Sequence, residues 1–430
     1  MINKPHELLV HLSLLAIFFT APACMAQRTS ASAKTAAPTV IVDTQNYIAG
    51  TQVFGGDYQF TDQSLLVEGA SQLLDMGSNM IKFAIGPGYT KHHFVKQEDP
   101  RIQTLTDLAK QRDYKQVFDM PFSRYFLWTY CFSTNEQVTP FHGHMAKQTL
   151  ANEYQEMYDL TKYLLTTYNG TGKTFYLGNW EGDWGLNSGA PPAEHKWETE
   201  PNSDAPTGMI DWLTARQRAI DTAKRDTPHK DVEVWFYVET NLVQKSIKQG
   251  RVSVASAVLP FVNPDFVSYS SYDSTNPGLD MHHTLPAALD YMQSKLKPKQ
   301  GLPEKRVFVG EYTSLALYQT PNEQDARMRD IIATGIKWGT PFVIYWQLYG
   351  NTDKGKPPEG CWLIDTKGVK LPVYYTYQHF YADAKLYIAE YVKKNQRQPD
   401  DKEFHDYAYK WFTSPNTKND SGAWVSKPVK

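Results

Sequence analysis

The sequence predicts an α/β fold, a (β/α)8 barrel with long loops and a short C-terminal extension, and three observations carry that reading. Eight short runs rich in β-branched and aromatic residues recur about 41 residues apart on average, room for strand, loop, helix and return each time. Between them lie stretches with the 3.6-residue apolar period of amphipathic helices. Runs such as Val234-Trp235-Phe236-Tyr237-Val238 and Val343-Ile344-Tyr345-Trp346 are nearly continuous in apolar character, as parallel strands buried on both faces are.

In chain order the strands are expected at Gln52–Gly56, Met80–Ile85, Tyr125–Phe132, Thr174–Gly178, Glu233–Val238, Phe266–Tyr269, Arg306–Gly310 and Phe342–Trp346. The intervening helices show their apolar stripes at Leu65, Ala70, Leu73 and Leu74; at Tyr154, Met157, Leu160 and Leu164; at Ile210, Leu213 and Ile220; at Leu285, Leu289 and Met292; and at Met328, Ile331, Ile332 and Ile336. The alternative arrangement is a doubly wound open sheet, and the lack of a Gly-x-Gly-x-x-Gly run after the first strand weakens it. The longest connection without periodicity, Gly182 to Asp204 with Pro191, Pro192 and Pro201, follows the fourth strand, and a loop of that length in a compact domain is usually functional.

The ends of the chain read differently. Lys4, an apolar run from Leu8 to Phe19 and small residues at Ala21, Ala23 and Ala26 have the order of a secretory signal peptide over 1–26. Cleavage is expected after Ala26, or before Cys24 if that cysteine carries a lipid. The protein is therefore expected to be exported, to the periplasm or the outside of the cell. Residues 27–39 form a leader, 40–391 the barrel, and 392–430 an extension whose Trp411 and Phe412 pack back on it. No run elsewhere is long and apolar enough to span a membrane. Cys131 and Cys361 are too few for a disulfide framework, and either one bridge or two buried thiols is open.

Composition narrows the ligand. Lys and Arg number 44 against 46 Asp and Glu, a net charge of −2, which leaves no electrostatic footprint for nucleic acid. The chain holds 20 Phe, 27 Tyr and 11 Trp, more Tyr and Trp than a core needs given their polar tips, so some are expected to line a groove. The pairs His92-His93 and His282-His283 and the spacing His142-Gly143-His144 invite a metal reading, but no His-Glu-x-x-His helix accompanies them and no metal or cofactor is expected. No Gly-x-Ser-x-Gly elbow is present, which argues against a serine esterase.

In a barrel of this kind the reacting groups sit at the C-terminal ends of the strands. Those ends read Gly56-Asp57, Asn179-Trp180-Glu181-Gly182-Asp183-Trp184, Glu239-Thr240-Asn241, Tyr269 to Asp273 and Glu311-Tyr312-Thr313. Carboxylates beside Asn, Tyr and Trp are the wall chemistry of a saccharide site: the rings stack on sugar faces and a carboxylate pair does acid/base work. Glu311 and Glu181 stand out at the seventh and fourth ends, with Asp183 as a second candidate acid. Glu239 is expected to bind substrate or support the site, Asp57 to hold a hydroxyl or cap a turn, and Trp184 to offer a platform or join the core.

These motifs resemble clan A glycoside hydrolases over roughly Thr51 to Tyr381. The resemblance implies a retaining mechanism with Glu181 as acid/base and Glu311 as nucleophile, acting on a poly- or oligosaccharide without a cofactor. It further implies that Lys82, in Gly77-Ser78-Asn79-Met80-Ile81-Lys82, occupies the place where the clan usually has Arg, that Tyr269 or Tyr272 hydrogen-bonds the nucleophile, and that Trp346 floors the sugar subsite. In the clan an Asn that binds the sugar 2-hydroxyl directly precedes the acid/base; here Trp180 intervenes between Asn179 and Glu181. A non-catalytic carbohydrate-binding barrel is the reading from a different class.

Overall fold

The computed structural model describes residues 42–91, 94–134, 141–187, 200–313, 320–351 and 361–414. The expected signal peptide, leader, Cys24, His92 and His93 lie outside the described residues. Eight parallel strands form one sheet: β1 (Ala49–Thr51), β2 (Met80–Ile85), β3 (Arg124–Thr129), β4 (Lys173–Gly178), β5 (Val232–Thr240), β6 (Phe266–Ser270), β7 (Val307–Tyr312) and β8 (Val343–Tyr345). Each is hydrogen-bonded to its sequence neighbours, and β8 pairs with β1 from Ala49↔Val343 to Thr51↔Tyr345. A parallel bridge between Gln52 and Lys82, with Val53 N–H donating to Lys82 O at 2.8 Å, brings β1 against β2 and completes the barrel. This is the (β/α)8 architecture the alternating pattern predicts, and it replaces the open-sheet alternative.

Strand alternation sorts the side chains into two compartments. Met80, Phe126, Trp128, Tyr176, Tyr237, Phe266, Phe308, Phe342 and Ile344 pack inside the barrel, with Phe126 stacked on Tyr176 at 4.5 Å between ring centroids. The opposite faces, such as Val267, Tyr269, Val307 and Val309, join the larger apolar layer between strands and helices. Two helices illustrate why the ring forms where it does. Leu65–Met76 begins after Ser64, buries Leu65, Leu66, Ala70 and Leu73, and stops at Gly77, whose φ of 101° suits glycine. Pro321–Trp338 opens with a capping box of Thr320 and Glu323 and ends at Gly339 with φ 95°.

Two boundaries differ from the sequence reading. The first strand ends at Thr51 and not at Gly56, because Gly55 takes a φ of 62° and the Phe54 N–H is bound by Gln347 Oε1 at 3.0 Å, not by a neighbouring strand. The division at residue 391 falls inside the helix Pro372–Asn395, and the helix Asp401–Thr413 then packs on it, with Phe412 and Phe380 4.5 Å apart. Cys131 and Cys361 are both buried and are not bridged. Among the described residues no helix is long and apolar enough to cross a membrane.

Candidate active site

The geometry at the barrel mouth starts with a bulge. The pairing of β6 with β7 runs Tyr269↔Val309 and then Ser270↔Glu311, so Gly310 is skipped. Without that extra residue the two-residue alternation would send Glu311 outward with Val307 and Val309. Past the bulge it is Tyr312 that joins the outer apolar layer. Glycine is required at 310, since a Cβ there would collide with the Ser268 hydroxyl. The bulged Gly310 carbonyl accepts from Lys82 Nζ at 2.8 Å and from Gln52 Nε2 at 3.2 Å, which fixes it from across the barrel. Glu311 is 3% exposed; Tyr272 Oη donates to its Oε1 at 2.9 Å, and its Oε2 has no hydrogen-bond partner among the described residues.

Glu181 comes from the other side of the mouth. After β4, Asn179 turns its amide onto the next strand, with Oδ1 accepting from Glu239 N–H at 3.2 Å and Nδ2 donating to Glu239 O at 3.1 Å. Trp180 N–H donates to Tyr130 Oη at 3.0 Å. Glu181 then adopts φ 24° and ψ 68°, a conformation rare for a residue with a side chain, at the start of the short helix Gly182–Leu186. Its carboxylate Oε1 accepts from Ser270 Oγ at 2.5 Å and its Oε2 from Trp184 Nε1. Ser270 thus binds Glu181 through its hydroxyl while its own backbone is in register with Glu311, so β6 links the two acids.

Beneath them lies a closed network. Glu239 and Lys82, both fully buried, are paired at 2.7 Å. Glu239 also accepts from Ser268 Oγ at 2.6 Å, from Trp128 Nε1 at 3.1 Å and from the Glu181 N–H at 3.1 Å. Lys82 Nζ stands 4.4 Å from the centre of the Trp128 ring.

Beside the acids opens a cavity of about 580 Å³ with aromatic walls, among them Phe54, Tyr89, Trp128, Tyr130, Trp180 and Trp346. Trp128 packs against Phe54 at 4.9 Å, Trp346 at 5.9 Å and Trp180 at 6.4 Å. Among the described residues no charged side chain lines it. The carboxylates are not part of its lining; it adjoins them through Trp180, the residue before Glu181, and Trp128, the ligand of Glu239.

Burial and mutual repulsion shape the protonation of the pair. Burial pushes Glu181 up to about 7, with the Glu239 charge adding to it and the Ser270 and Trp184 hydrogen bonds opposing it. Burial pushes Glu311 well above the ordinary carboxylate range, the Glu181 charge acting in the same sense and Lys82 and Tyr272 against. Burial thus disfavours ionising either carboxylate, and their repulsion disfavours ionising both together.

The structure therefore brings together Glu181, Glu311, Glu239, Lys82, Asn179, Trp184 and Tyr272, and three expectations need correction. Tyr269 is not at the mouth: it faces outward on β6, fully buried, with its hydroxyl on Asp273 and Ser274, so Tyr272 is the tyrosine at Glu311. Asp183 is not a free acid. Fully buried, it accepts from Thr240 Oγ1 and from the main-chain N–H groups of Asn241, Leu242 and Val254, tying the loops after β4 and β5. Asn179 and Lys82 turn their polar atoms to Glu239 and Gly310, and neither lines the cavity among the described residues. Trp184 holds the Glu181 carboxylate, while Trp180, 36% exposed, and Trp346 face the cavity. Asp57 is exposed on the bend after β1, where its N–H donates to Gly350 O, and it does not join the network among the described residues. Sequence reasoning missed Ser268, Ser270, Tyr130 and Phe54. Alternation along β6 puts Ser268 and Ser270 on the face of Phe266, the one available signal.

The histidines do not gather. His144 sits on Asp211 at 2.9 Å and His282 on Asp330 at 3.3 Å, and among the described residues no group of three or more His, Cys, Asp or Glu is arranged to hold a metal ion.

No family model and no curated protein matches the sequence. Among solved structures the chain is similar to a family 39 glycoside hydrolase from the gut symbiont Bacteroides cellulosilyticus WH2, with a TM-score of 0.51 and 9% identity over 80% of this chain and 65% of that one. It is also similar to a GH5_18 protein from Bifidobacterium longum subsp. infantis, with a TM-score of 0.51 and 12% identity over 78% of each chain. A third is the exo-beta-1,4-mannosidase from Opitutaceae bacterium strain TAV5, with a TM-score of 0.51 and 12% identity over 79% of this chain and 60% of that one. The chain thus spans just under two thirds of the length of the first and of the third. These are clan A glycoside hydrolases, the group that the strand-end motifs resemble, and at such identities what is shared is the barrel.

Proposed function

We propose that this protein is an exported retaining O-glycoside hydrolase acting on an uncharged poly- or oligosaccharide, with Glu311 as nucleophile and Glu181 as acid/base. The observation that carries the reading is a pair of buried carboxylates linked through Ser270 of β6, each with its own donors: Tyr272 on one, Ser270 and Trp184 on the other. The unpartnered Glu311 Oε2 is the atom that attacks the anomeric carbon, forming the glycosyl–enzyme bond as the bond to the leaving oxygen breaks. Glu181 gives its proton to that oxygen. In the second half, Glu181 as a carboxylate takes a proton from water, which releases the sugar from Glu311 with the starting configuration.

These roles require a proton on Glu181 and a charge on Glu311 when Glu311 attacks. Lys82 and Tyr272 favour the Glu311 anion, and the Glu239 charge disfavours an anion at either carboxylate. Positive charge growing at the anomeric carbon adds to the first effect. The cavity supplies binding by stacking on Trp180, Trp346 and Phe54, and the uncharged lining among its described residues fits a neutral ligand. Proton NMR of the first product from a panel of neutral aryl glycosides tests the reading: the product should carry the anomeric configuration of the substrate. An inverted product overturns the double displacement, and saturable sugar binding without turnover supports a carbohydrate-binding barrel instead.

A further inference from the structure

The donors around Glu239 form a reciprocal lock between β4 and β5. The Asn179 side chain grips both main-chain polar groups of Glu239, and the Glu239 side chain in turn accepts the main-chain N–H of Glu181, two residues beyond Asn179. Three of the four groups on the Glu239 carboxylate, the Lys82 ammonium, the Trp128 indole N–H and the Glu181 N–H, can only donate. Their convergence fits an ionised carboxylate.

We infer that Glu239 is a positioning residue for the acid/base, an ionised carboxylate that clamps the Glu181 main chain and sets a fixed negative charge beneath the Glu181 carboxyl group. The inference rests on the acid/base role proposed for Glu181. Trp180, inserted between Asn179 and Glu181, is accommodated by a turn in which Glu181 has φ 24°, and a backbone of that kind persists only where its surroundings hold it. The Glu239 oxygen on the Glu181 N–H is that hold. The charged and titratable groups facing Glu181 are Lys82 from β2, Tyr130 from the end of β3, Glu239 from β5, Tyr272 from the turn after β6 and Glu311 from β7. Glu239 is the anion among them that is fully buried, held by four donors and paired with a cation. Its charge disfavours an anion at Glu181.

The test is a titration of Glu181 by carbon NMR on full-length protein labelled at the glutamate carboxyls, with the Glu181 signal assigned by its loss in Glu181→Gln. In Glu239→Gln the Glu181 midpoint should fall by about one pH unit or more, since removing a nearby like charge favours the carboxylate. Ser268→Ala, which removes a neutral donor and no charge, should leave the midpoint in place. If Glu239→Gln does not fold, the double variant Lys82→Met/Glu239→Met removes the pair together, a replacement that cores tolerate better than a lone buried charge. The midpoint should fall there too, because Glu239 acts on Glu181 more strongly than Lys82 does. An unchanged midpoint in a folded Glu239 variant, or an equal shift in Ser268→Ala, overturns the inference. The readout does not need turnover, so a shifted midpoint in a protein inactive on every glycoside counts against the hydrolase reading and not against the clamp.

Discussion

Tyr272 Oη donates to Glu311 Oε1 at 2.9 Å, and the second Glu311 oxygen is buried with no partner. The arrangement steadies one oxygen and leaves the other for attack. Tyr272→Phe should lower kcat/KM on an aryl glycoside about ten- to a hundredfold, the equivalent of the ~1.5–3 kcal/mol of a hydrogen bond to a charged group. Because the bond favours the Glu311 anion, its loss should also move the acidic limb of the pH profile upward. A variant with wild-type kinetics would remove Tyr272 from the account.

Trp184 gives the opposite handle. Its indole N–H donates to Glu181 Oε2 and favours the Glu181 anion. Trp184→Phe should raise the Glu181 pKa and carry the basic limb of kcat/KM to higher pH, with the acidic limb unmoved. A basic limb that falls or stays put contradicts the assignment.

The acid pair should cost stability. The folded-state pKa of Glu181 is raised from 4.5 to about 7, so the folded protein binds more protons than the unfolded chain between those values, and stability is lost as pH rises through that window. Glu181→Gln should therefore be more stable than wild type at pH 8, by up to about 3 kcal/mol, and show little difference at pH 4. Thermal melts at the two pH values check this; equal melting temperatures at pH 8 would show that Glu181 is not strained by burial.

Asp183 should behave as a structural residue. Removing its carboxylate in Asp183→Ala leaves three main-chain N–H groups without their acceptor, at a cost of about 3 kcal/mol or more. Urea unfolding measures that loss. Asp183→Ala that unfolds at the wild-type midpoint would return Asp183 to the pool of reacting acids.

Much of this was legible from residues alone, and the exceptions have physical causes. Apolar runs such as Val234 to Val238 marked the strands because both faces of a parallel sheet are buried, and strand ends four and seven marked Glu181 and Glu311. Tyr269 closes a strand and so reads as a site candidate, yet the two-residue alternation from Phe266 already turns it outward. The Gly310 bulge has the reverse effect on Glu311, and a bulge is a property of pairing that a single strand does not display. Ser268 and Ser270 carry no signal of their own; a hydroxyl becomes a carboxylate ligand only once the closed barrel sets it opposite one. Asn179 looks like a sugar ligand and Asp183 like a reacting acid in the sequence, and only the neighbouring strand and loop show that their polar atoms are already engaged.

The most direct measurement of the central claim is covalent trapping with a 2-deoxy-2-fluoro glycoside bearing an activated leaving group, followed by mass spectrometry of the digested protein. The account predicts one sugar per chain, on the peptide that contains Glu311, with Glu181→Ala still labelled because an activated leaving group needs no proton. A label on Glu181, Glu239 or Asp183, or no label on a protein that binds the sugar, would contradict it.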